Sequence, residues 1–210
     1  MDYVNKSNVY ATVKEKSAKT NSHVLLVFCS LVCCIMFLFS ILLVPKMVKG
    51  SSMYPTINAY SDSSSYDVVY ILKQYNYGCG DIVVLKKNET QSQSDVIKRI
   101  VAMGGDKVSI LMDSDGFYKV YVNDVALNEP YIASKQDMQV CYANFRAYLS
   151  QSGATKNYLV LGVDEIFVLG DNRANSLDSS NYGPRKLSEI EGRVVLVVPQ
   201  KNKLAFKIIW

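Results

Sequence analysis

The chain has 210 residues, of which 49% are hydrophobic, and its formal net charge is +4 at pH 7. A length of this order allows one domain of ordinary size, or a small domain with an anchor. The charge is far from the strongly basic balance that is typical of nucleic-acid-binding domains, so we expect no nucleic acid partner.

Residues 24–44, VLLVFCSLVCCIMFLFSILLV, contain no charged residue, no proline and no glycine. A helix of this length rises roughly 32 Å, which matches a hydrocarbon core of about 30 Å. The run therefore predicts one transmembrane helix. The alternative is a cleaved secretory signal, whose apolar region is usually about 7–15 residues long and ends at a site of small residues. The stretch PKMVKG after the run lacks such a site.

The flanks of this run predict its orientation. The first 23 residues contain four lysines and two acidic residues: Lys6, Lys14, Lys16 and Lys19, with Asp2 and Glu15. Because basic flanks tend to stay in the cytoplasm, we expect residues 1–23 to be cytoplasmic and residues 45–210 to be extracytoplasmic. Lys46 and Lys49 weaken this contrast. The expected location is a cell membrane, crossed once, with the lipid bilayer as a partner.

Beyond the anchor, short segments rich in β-branched and aromatic residues alternate with turn signals such as GCGD, GGD and DSDG. This pattern is typical of strands joined by turns. It predicts strands at residues 67–72, 81–85, 95–103, 117–123, 165–170 and 192–198. It also predicts a short helix at residues 142–150 and a helical turn at residues 188–191. We therefore expect a mostly β domain with small helical and loop insertions behind one N-terminal helix.

The sequence does not provide a histidine base for a serine nucleophile in the outer domain. His23 is the only histidine and precedes the apolar run, so a serine in the outer domain has no histidine base. A lysine, a carboxylate pair or a metal remains, and a neutral lysine can activate a serine. No residue spacing suggests a metal site. Cys79 and Cys141 could pair in an oxidising compartment, although two isolated cysteines are more often free.

Lys98 has the sequence context of a buried amine. If VIKRIV is a strand, Lys98 shares one face with the β-branched residues Val96 and Ile100. Burial penalises the charged form, and a decrease of about 2.5 pKa units from about 10.4 leaves roughly a tenth of the amine neutral at pH 7. The alternative is a structural lysine whose ammonium group reaches solvent.

Ser52 lies in the stretch GSSMYPT, shortly after the anchor. A serine near a proline can simply bond the backbone of a turn, or it can act as a nucleophile. Gly50 permits a backbone conformation that other residues rarely adopt, which would help to aim the Ser52 amide at a developing oxyanion. The eight residues from Val44 to Ser52 span at most about 28 Å, so this serine must work close to the membrane.

Four stretches together resemble the type I signal peptidases: GSSMYPT, GDIVVL, IKRIVAMGGD and GDNRANSLDSSNYGP, in the order and approximate spacing of that family. The anchor resembles the single-span form of Gram-positive bacteria. The resemblance extends from residue 24 to about residue 198. It implies a signal-peptidase-like β-barrel or β-sheet fold. It also implies a serine endopeptidase without metal or cofactor, which removes signal peptides from membrane-bound precursors after small residues.

By this resemblance Ser52 is the nucleophile and Lys98 is the general base. Ser176 matches the serine whose hydroxyl bonds and orients that lysine, and Asp178 matches the acidic residue that holds the nearby loop. Apolar residues near the site are expected to line shallow substrate pockets, among them Val68 and Val83.

The last motif begins with three residues that match its structural start: Asp171, Asn172 and Arg173. We interpret the first two as turn-forming residues. Ser180 replaces the arginine that is usual two residues after Asp178, and Arg173 or Arg185 is expected to substitute as the partner of Asp178. Gly50 stands where Gram-negative relatives often have a serine whose hydroxyl aids the oxyanion hole, so a backbone donor must suffice here.

Two alternative functions belong to other classes. A non-catalytic relative could keep the fold and assist the assembly of surface or pilus proteins, although it would have no reason to retain Ser52, Lys98 and Ser176. A self-cleaving regulator could use the same serine and lysine, although the anchor and the lack of a DNA-binding segment argue against it. The identity of the precursors is not encoded in these motifs.

Overall fold

The computed structural model describes residues 6–57, 66–73, 76–86, 95–200 and 205–209, with side chains from residue 23 onward. The chain divides into two units, residues 1–43 and residues 44–210. The first unit contains helix α1 (Lys6–Leu42). Its segment His23–Leu42 has a mean hydropathy of 2.9 and is long and apolar enough to cross a membrane. The predicted boundaries at residues 23 and 44 stay predictions.

The second unit is built mainly from strands. Their bounds are β1 (Leu43–Val48), β2 (Asp67–Leu72), β3 (Ile82–Leu85), β4 (Val96–Met103), β5 (Lys107–Met112), β6 (Tyr118–Val122), β7 (Val125–Ala126), β8 (Tyr158–Val160), β9 (Glu165–Leu169), β10 (Arg185–Lys186), β11 (Ile190–Val198) and β12 (Lys207–Ile208). β1 starts at Leu43, so the last two residues of the predicted membrane run belong to a strand and not to the helix. Short helices interrupt the strands: α2 (Met138–Gln151), α3 (Ser179–Tyr182) and 3₁₀ turns at Lys135–Asp137 and Leu187–Glu189.

Within the described ranges the strands form two sheets. The larger sheet has the order β1-β2-β11-β3-β4-β9-β10, with β12 paired to β11, and the smaller has the order β7-β6-β5-β8. Central strand β4 lies between β3 and β9, antiparallel to both. β4 pairs with β3 through residues 96–99 and with β9 through residues 99–103, so Lys98 lies in the part that β3 holds.

The two faces of the larger sheet carry separate apolar clusters. Val83, Leu85, Ile100, Ile166 and Val168 pack on one face, and Ile82 and Val84 join Val69, Ile71 and Val194 on the other. This division follows from the alternation of side chains along a strand. A register shift after Ile100 turns the following residues of β4 toward a third cluster, which is shared with α2 and the smaller sheet.

Helix α2 covers this third cluster with one face. Its buried residues, Met138, Cys141, Phe145 and Leu149, recur at helical spacing. Phe145 packs edge-on against Phe167 of β9, with ring centroids 5.7 Å apart. Cys141 is buried and Cys79 is exposed, and both are free thiols.

The prediction of a mostly β fold behind one N-terminal apolar helix is confirmed. The six predicted strands are present as β2, β3, β4, β6, β9 and β11, with ends that differ from the predicted ones by at most two residues. The outer helix starts at Met138, four residues earlier than predicted, and the turn at residues 188–191 is the 3₁₀ turn Leu187–Glu189. The prediction lacks six further strands of the described chain: β1, β5, β7, β8, β10 and β12.

Gly104, between β4 and β5, has no room for a side chain, because a Cβ atom there would overlap the carbonyl group of Val163. We expect Gly104→Ala to lower the free energy of unfolding by about 2–3 kcal/mol, since a backbone atom must move. Urea unfolding of the full-length protein in detergent measures this. The matched control is Gly78→Ala, where a Cβ meets nothing within 4 Å, and which should cost less than about 0.5 kcal/mol. Equal losses in both variants would contradict the close approach.

Candidate active site

The side chains of Ser52 and Lys98 are in direct contact. Lys98 Nζ lies 2.9 Å from Ser52 Oγ, as the donor of a hydrogen bond, and 3.1 Å from the carbonyl oxygen of Ile97. Ser52 belongs to the turn after β1 and Lys98 to β4, 46 residues further along the chain. The fold thus brings together the two residues that the sequence predicts as nucleophile and base.

Lys98 occupies an apolar position on β4. Val83 lies directly opposite on β3, Ile100 packs in the same cluster as Val83, and Lys98 is only 3% exposed. Burial lowers the pKa of Lys98 to about 8, although the carboxylates of Asp178 and Asp171 oppose this shift. An amine with this pKa is about one tenth neutral at pH 7. The predicted burial of Lys98 and its direction of pKa shift are confirmed.

The turn that carries Ser52 is held between a glycine and two apolar anchors. Gly50 has a φ of +105°, a conformation that favours glycine. Met53 and Ile57 are buried in the cluster that contains β2 and β11, and the Ile57 amide donates to the Met53 carbonyl at 2.9 Å. Because these anchors fix the turn, the partly exposed Ser52 has a defined position.

Residues 170–178, called the 170–178 loop, connect β9 to α3 and bind this turn directly. The backbone amide of Asn172 donates to the Ser52 carbonyl at 3.0 Å. The side-chain amide of Asn172 donates to the Ser51 carbonyl at 3.0 Å, and that of Asn175 donates to Ser51 Oγ at 2.8 Å. Asn172 is therefore a direct support of the nucleophile as well as a turn-forming residue.

Asp171 forms a buried ion pair that the sequence did not reveal. Arg99 donates from Nε to Oδ1 at 2.9 Å and from Nη2 to Oδ2 at 2.7 Å. Thr56 Oγ1 donates to the same carboxylate at 2.5 Å. Such bidentate pairs fix geometry strongly. Asp171 is therefore more than the turn-forming residue that we interpret from the sequence, because its buried carboxylate joins β4 to the turn of Ser52.

Asp178 is held by neutral donors. Its Oδ2 accepts from the Gly170 amide at 2.9 Å, and its Oδ1 accepts from the amide and the hydroxyl of Ser180 at 3.1 and 2.8 Å. Ser180 itself therefore fills the place of the expected arginine. The prediction that Arg173 or Arg185 substitutes is wrong, because Arg173 pairs with Glu129 and Arg185 pairs with Glu189.

Arg173 lies beneath the 170–178 loop, with a fully buried side chain. Its Nε donates to the Gly170 carbonyl at 2.9 Å. Its two terminal nitrogens donate to Glu129 at 2.5 and 3.2 Å, and one of them also contacts the Met138 sulfur. The resemblance placed Arg173 at the structural start of this motif, and its contacts show how it holds the loop.

Ser176 lies beside the pair but does not bond the lysine in this structure. The Ser176 hydroxyl is buried and has no hydrogen-bond partner in the described part of the chain. It packs against Gly170, where a Cβ atom would overlap both Ser176 Oγ and the Ser52 carbonyl oxygen. The expected hydrogen bond to Lys98 is therefore absent here, although Ser176 and the Ser52 carbonyl both lie against Gly170.

A cleft of about 310 Å³ opens beside Ser52 and Lys98. Its walls include Val96 of β4, Leu177 of the 170–178 loop and Tyr182 of α3. The sequence did not identify these wall residues, because they come from three separate segments. Of the expected pocket residues, Val83 is completely buried in the core, and Val68 lines a different depression beside Tyr66.

The arrangement can perform base-assisted nucleophilic attack. A neutral Lys98 amine within hydrogen-bond reach can accept the hydroxyl proton of Ser52, and the adjacent cleft leaves space for a substrate. Hydrogen bonds and ion pairs of four further residues fix the turn of Ser52 and the 170–178 loop: Asp171, Asp178, Arg99 and Arg173.

Comparison with known proteins identifies the family of this chain. The profile of the family described as signal peptidase, peptidase S26, matches residues 21–199. The chain is 32% identical over 160 residues to thylakoidal processing peptidase 1 of Arabidopsis thaliana, which covers 72% of this chain and 40% of the plant protein. It is 31% identical over 142 residues to signal peptidase I of Bacillus amyloliquefaciens, with coverages of 65% and 63%.

A third relative matches over more of its length. Signal peptidase I U of Bacillus subtilis is 31% identical over 175 residues, which are 80% of this chain and 80% of that protein. The chain thus spans less than two thirds of the first two relatives and most of the third. The family resemblance carried by the four sequence motifs is confirmed. The chain belongs to the signal peptidase family, peptidase S26.

Proposed function

We propose that this protein is a serine endopeptidase that removes N-terminal signal peptides from translocated precursors by cleavage after small residues. The observation that carries the proposal is the 2.9 Å contact between Lys98 Nζ and Ser52 Oγ, with the amine buried. Membership of the signal peptidase family supports it.

The reaction starts when neutral Lys98 accepts the Ser52 hydroxyl proton. Ser52 Oγ then attacks the scissile carbonyl carbon, and the negative charge that develops on the carbonyl oxygen needs a nearby donor. We assign this role to the Ser52 amide, whose direction is influenced by the positive φ of Gly50. Protonated Lys98 gives its proton to the leaving amine, which leaves the acyl group on Ser52. Neutral Lys98 then deprotonates a water molecule that attacks the acyl carbon, and the lysine returns this proton to Ser52 Oγ as the ester bond breaks.

The supporting residues hold this geometry. Asp178 and Arg173 bond the amide and the carbonyl of Gly170, respectively. Ser176 packs against Gly170, and we assign to it the orientation of the Lys98 amine once substrate is bound. The small cleft, narrowed by Leu177 and Val96, suits short side chains next to the scissile bond.

We propose further that the predicted membrane run, which is helical as far as Leu42, anchors the enzyme in the cell membrane, with residues 1–23 cytoplasmic and residues 45–210 extracytoplasmic. The apolar segment His23–Leu42 has the length and composition for this. The substrates would then be precursors held in the same bilayer by their apolar segments. A shared membrane raises the effective concentration of enzyme and substrate, so a small and weakly selective cleft is sufficient.

The first test measures the cleavage of a signal-peptide-bearing precursor in detergent by wild type, Ser52→Ala and Lys98→Met. We expect both variants to lose activity by at least about 1,000-fold, because one lacks the nucleophile and the other lacks the base. Methionine preserves the volume of the buried side chain, so folding is maintained.

The matched control is Lys186→Met, which removes an exposed lysine that pairs with Asp164 and Glu165 away from the site. It should retain activity within about twofold. Inactivity of the wild type would favour the non-catalytic assembly role. Cleavage by Lys98→Met at the wild-type rate would reject this lysine as the base.

The second test is the pH dependence of kcat/KM. Because the pKa of Lys98 is lowered to about 8 by burial, the base is protonated and inactive at lower pH. We expect kcat/KM to rise about tenfold per pH unit up to about pH 8 and then to level off. A profile that instead keeps rising to a pKa near about 10.4, the pKa of a solvated lysine, would contradict the buried amine.

A further inference from the structure

Gly170 and Asp171 begin the 170–178 loop and connect it to the turn of Ser52. Gly170 contacts the Ser52 carbonyl and Ser176 so closely that no Cβ atom fits there. The Asp171 carboxylate bonds Thr56 in the turn of Ser52 and acts electrostatically on Lys98. Any shift of these two residues would therefore move the nucleophile relative to the base.

Two arginines hold Gly170 and Asp171 in place. Arg173 donates to the Gly170 carbonyl, and Arg99 holds the Asp171 carboxylate with two hydrogen bonds. The arginines come from different elements, since Arg99 is on β4 and Arg173 is in the loop itself. Each arginine has a further partner, and these partners belong to one short segment.

That segment is residues 129–131, which leave the smaller sheet after β7. Glu129 binds Arg173 through both carboxylate oxygens, and the Glu129 side chain is only 5% exposed. The Tyr131 ring covers the Arg99 guanidinium, with 3.9 Å from its carbon to the ring centroid. The Tyr131 hydroxyl donates to Glu129 at 2.9 Å and joins the two contacts. A buried guanidinium that loses such partners has an uncompensated charge. It must then move, and the groups that remain bonded to it move as well.

We propose that Glu129 and Tyr131 are positioning residues for the Ser52–Lys98 pair, acting through Arg173 and Arg99 on Gly170 and Asp171. This inference rests on the proposed peptidase function. The smaller sheet would then contribute to catalysis, because the segment that binds both arginines follows its strand β7. Glu129 and Tyr131 touch neither Ser52 nor Lys98 and act only through the arginines.

The experiment compares precursor cleavage by full-length wild type, Glu129→Gln, Tyr131→Leu and Tyr131→Phe. Glutamine keeps the shape of Glu129 but removes its charge, and leucine removes the ring over Arg99. We expect each of these two variants to lower kcat by about tenfold while KM changes by less than about twofold, because alignment and not substrate binding is lost. Phenylalanine keeps the ring and should retain kcat within about threefold of wild type.

The matched control is Asp113→Asn, which removes an ion pair with Lys119 in the same small sheet. It contacts neither arginine, so its kcat should equal that of wild type. A decrease in kcat for Asp113→Asn as large as that for Glu129→Gln would overturn the proposal, because it would show a general effect of the smaller sheet. An unchanged kcat in both Glu129→Gln and Tyr131→Leu would also overturn it.

A second measurement does not depend on cleavage. The Gly170 amide is bonded to Asp178 and the Asn172 amide to Ser52, so hydrogen exchange at these amides reports the order of the loop. We expect at least about tenfold faster exchange in Glu129→Gln and Tyr131→Leu than in wild type. If wild type cleaves no precursor, the proposed function fails, and the exchange rates still decide whether residues 129–131 order the loop. Unchanged exchange would reject the positioning role.

Discussion

The desolvation of one amine is the constraint on which the site depends. Lys98 is enclosed on a central strand, and burial lowers its pKa from 10.5 to about 8. A shift of this size corresponds to about 3 kcal/mol of unfavourable free energy for the charged form. That is a substantial part of the net stability of a typical domain, about 5–15 kcal/mol. The surrounding strands must therefore be well packed, and Val83 and Ile100 beside the lysine provide that packing.

The parts of the fold that sequence could predict are those set by local patterns. Alternation along VIKRIV placed Lys98 on an apolar face, and the structure has it there because β4 is a strand in which Lys98 lies opposite Val83 of β3. Turn signals located six strands to within two residues. The order of the four motifs brought Ser52 and Lys98 into one hypothesis, since it carried a family resemblance that no single motif could support.

The parts that sequence could not predict depend on contacts between distant segments. Asp171 looked like a turn residue, because nothing local indicates that Arg99, 72 positions away, reaches it. Glu129 and Tyr131 lie in a stretch without helical or strand periodicity, so their contacts with the arginines were invisible. Leu43 and Val44 continue the apolar run in sequence, yet they form a strand because β1 pairs with β2.

Asp178 and Asp171 both raise the pKa of Lys98 electrostatically, but their own charges are compensated differently. Arg99 neutralises Asp171, whereas the described donors to Asp178 are the uncharged groups of Gly170 and Ser180. The negative charge of Asp178 therefore opposes the effect of burial and limits how far the pKa of Lys98 is lowered. The pKa of this amine can therefore be changed from a residue that does not contact it. A cation introduced at residue 180 would lower the pKa of Lys98, and the protein could then work at a different pH with both reacting groups unchanged.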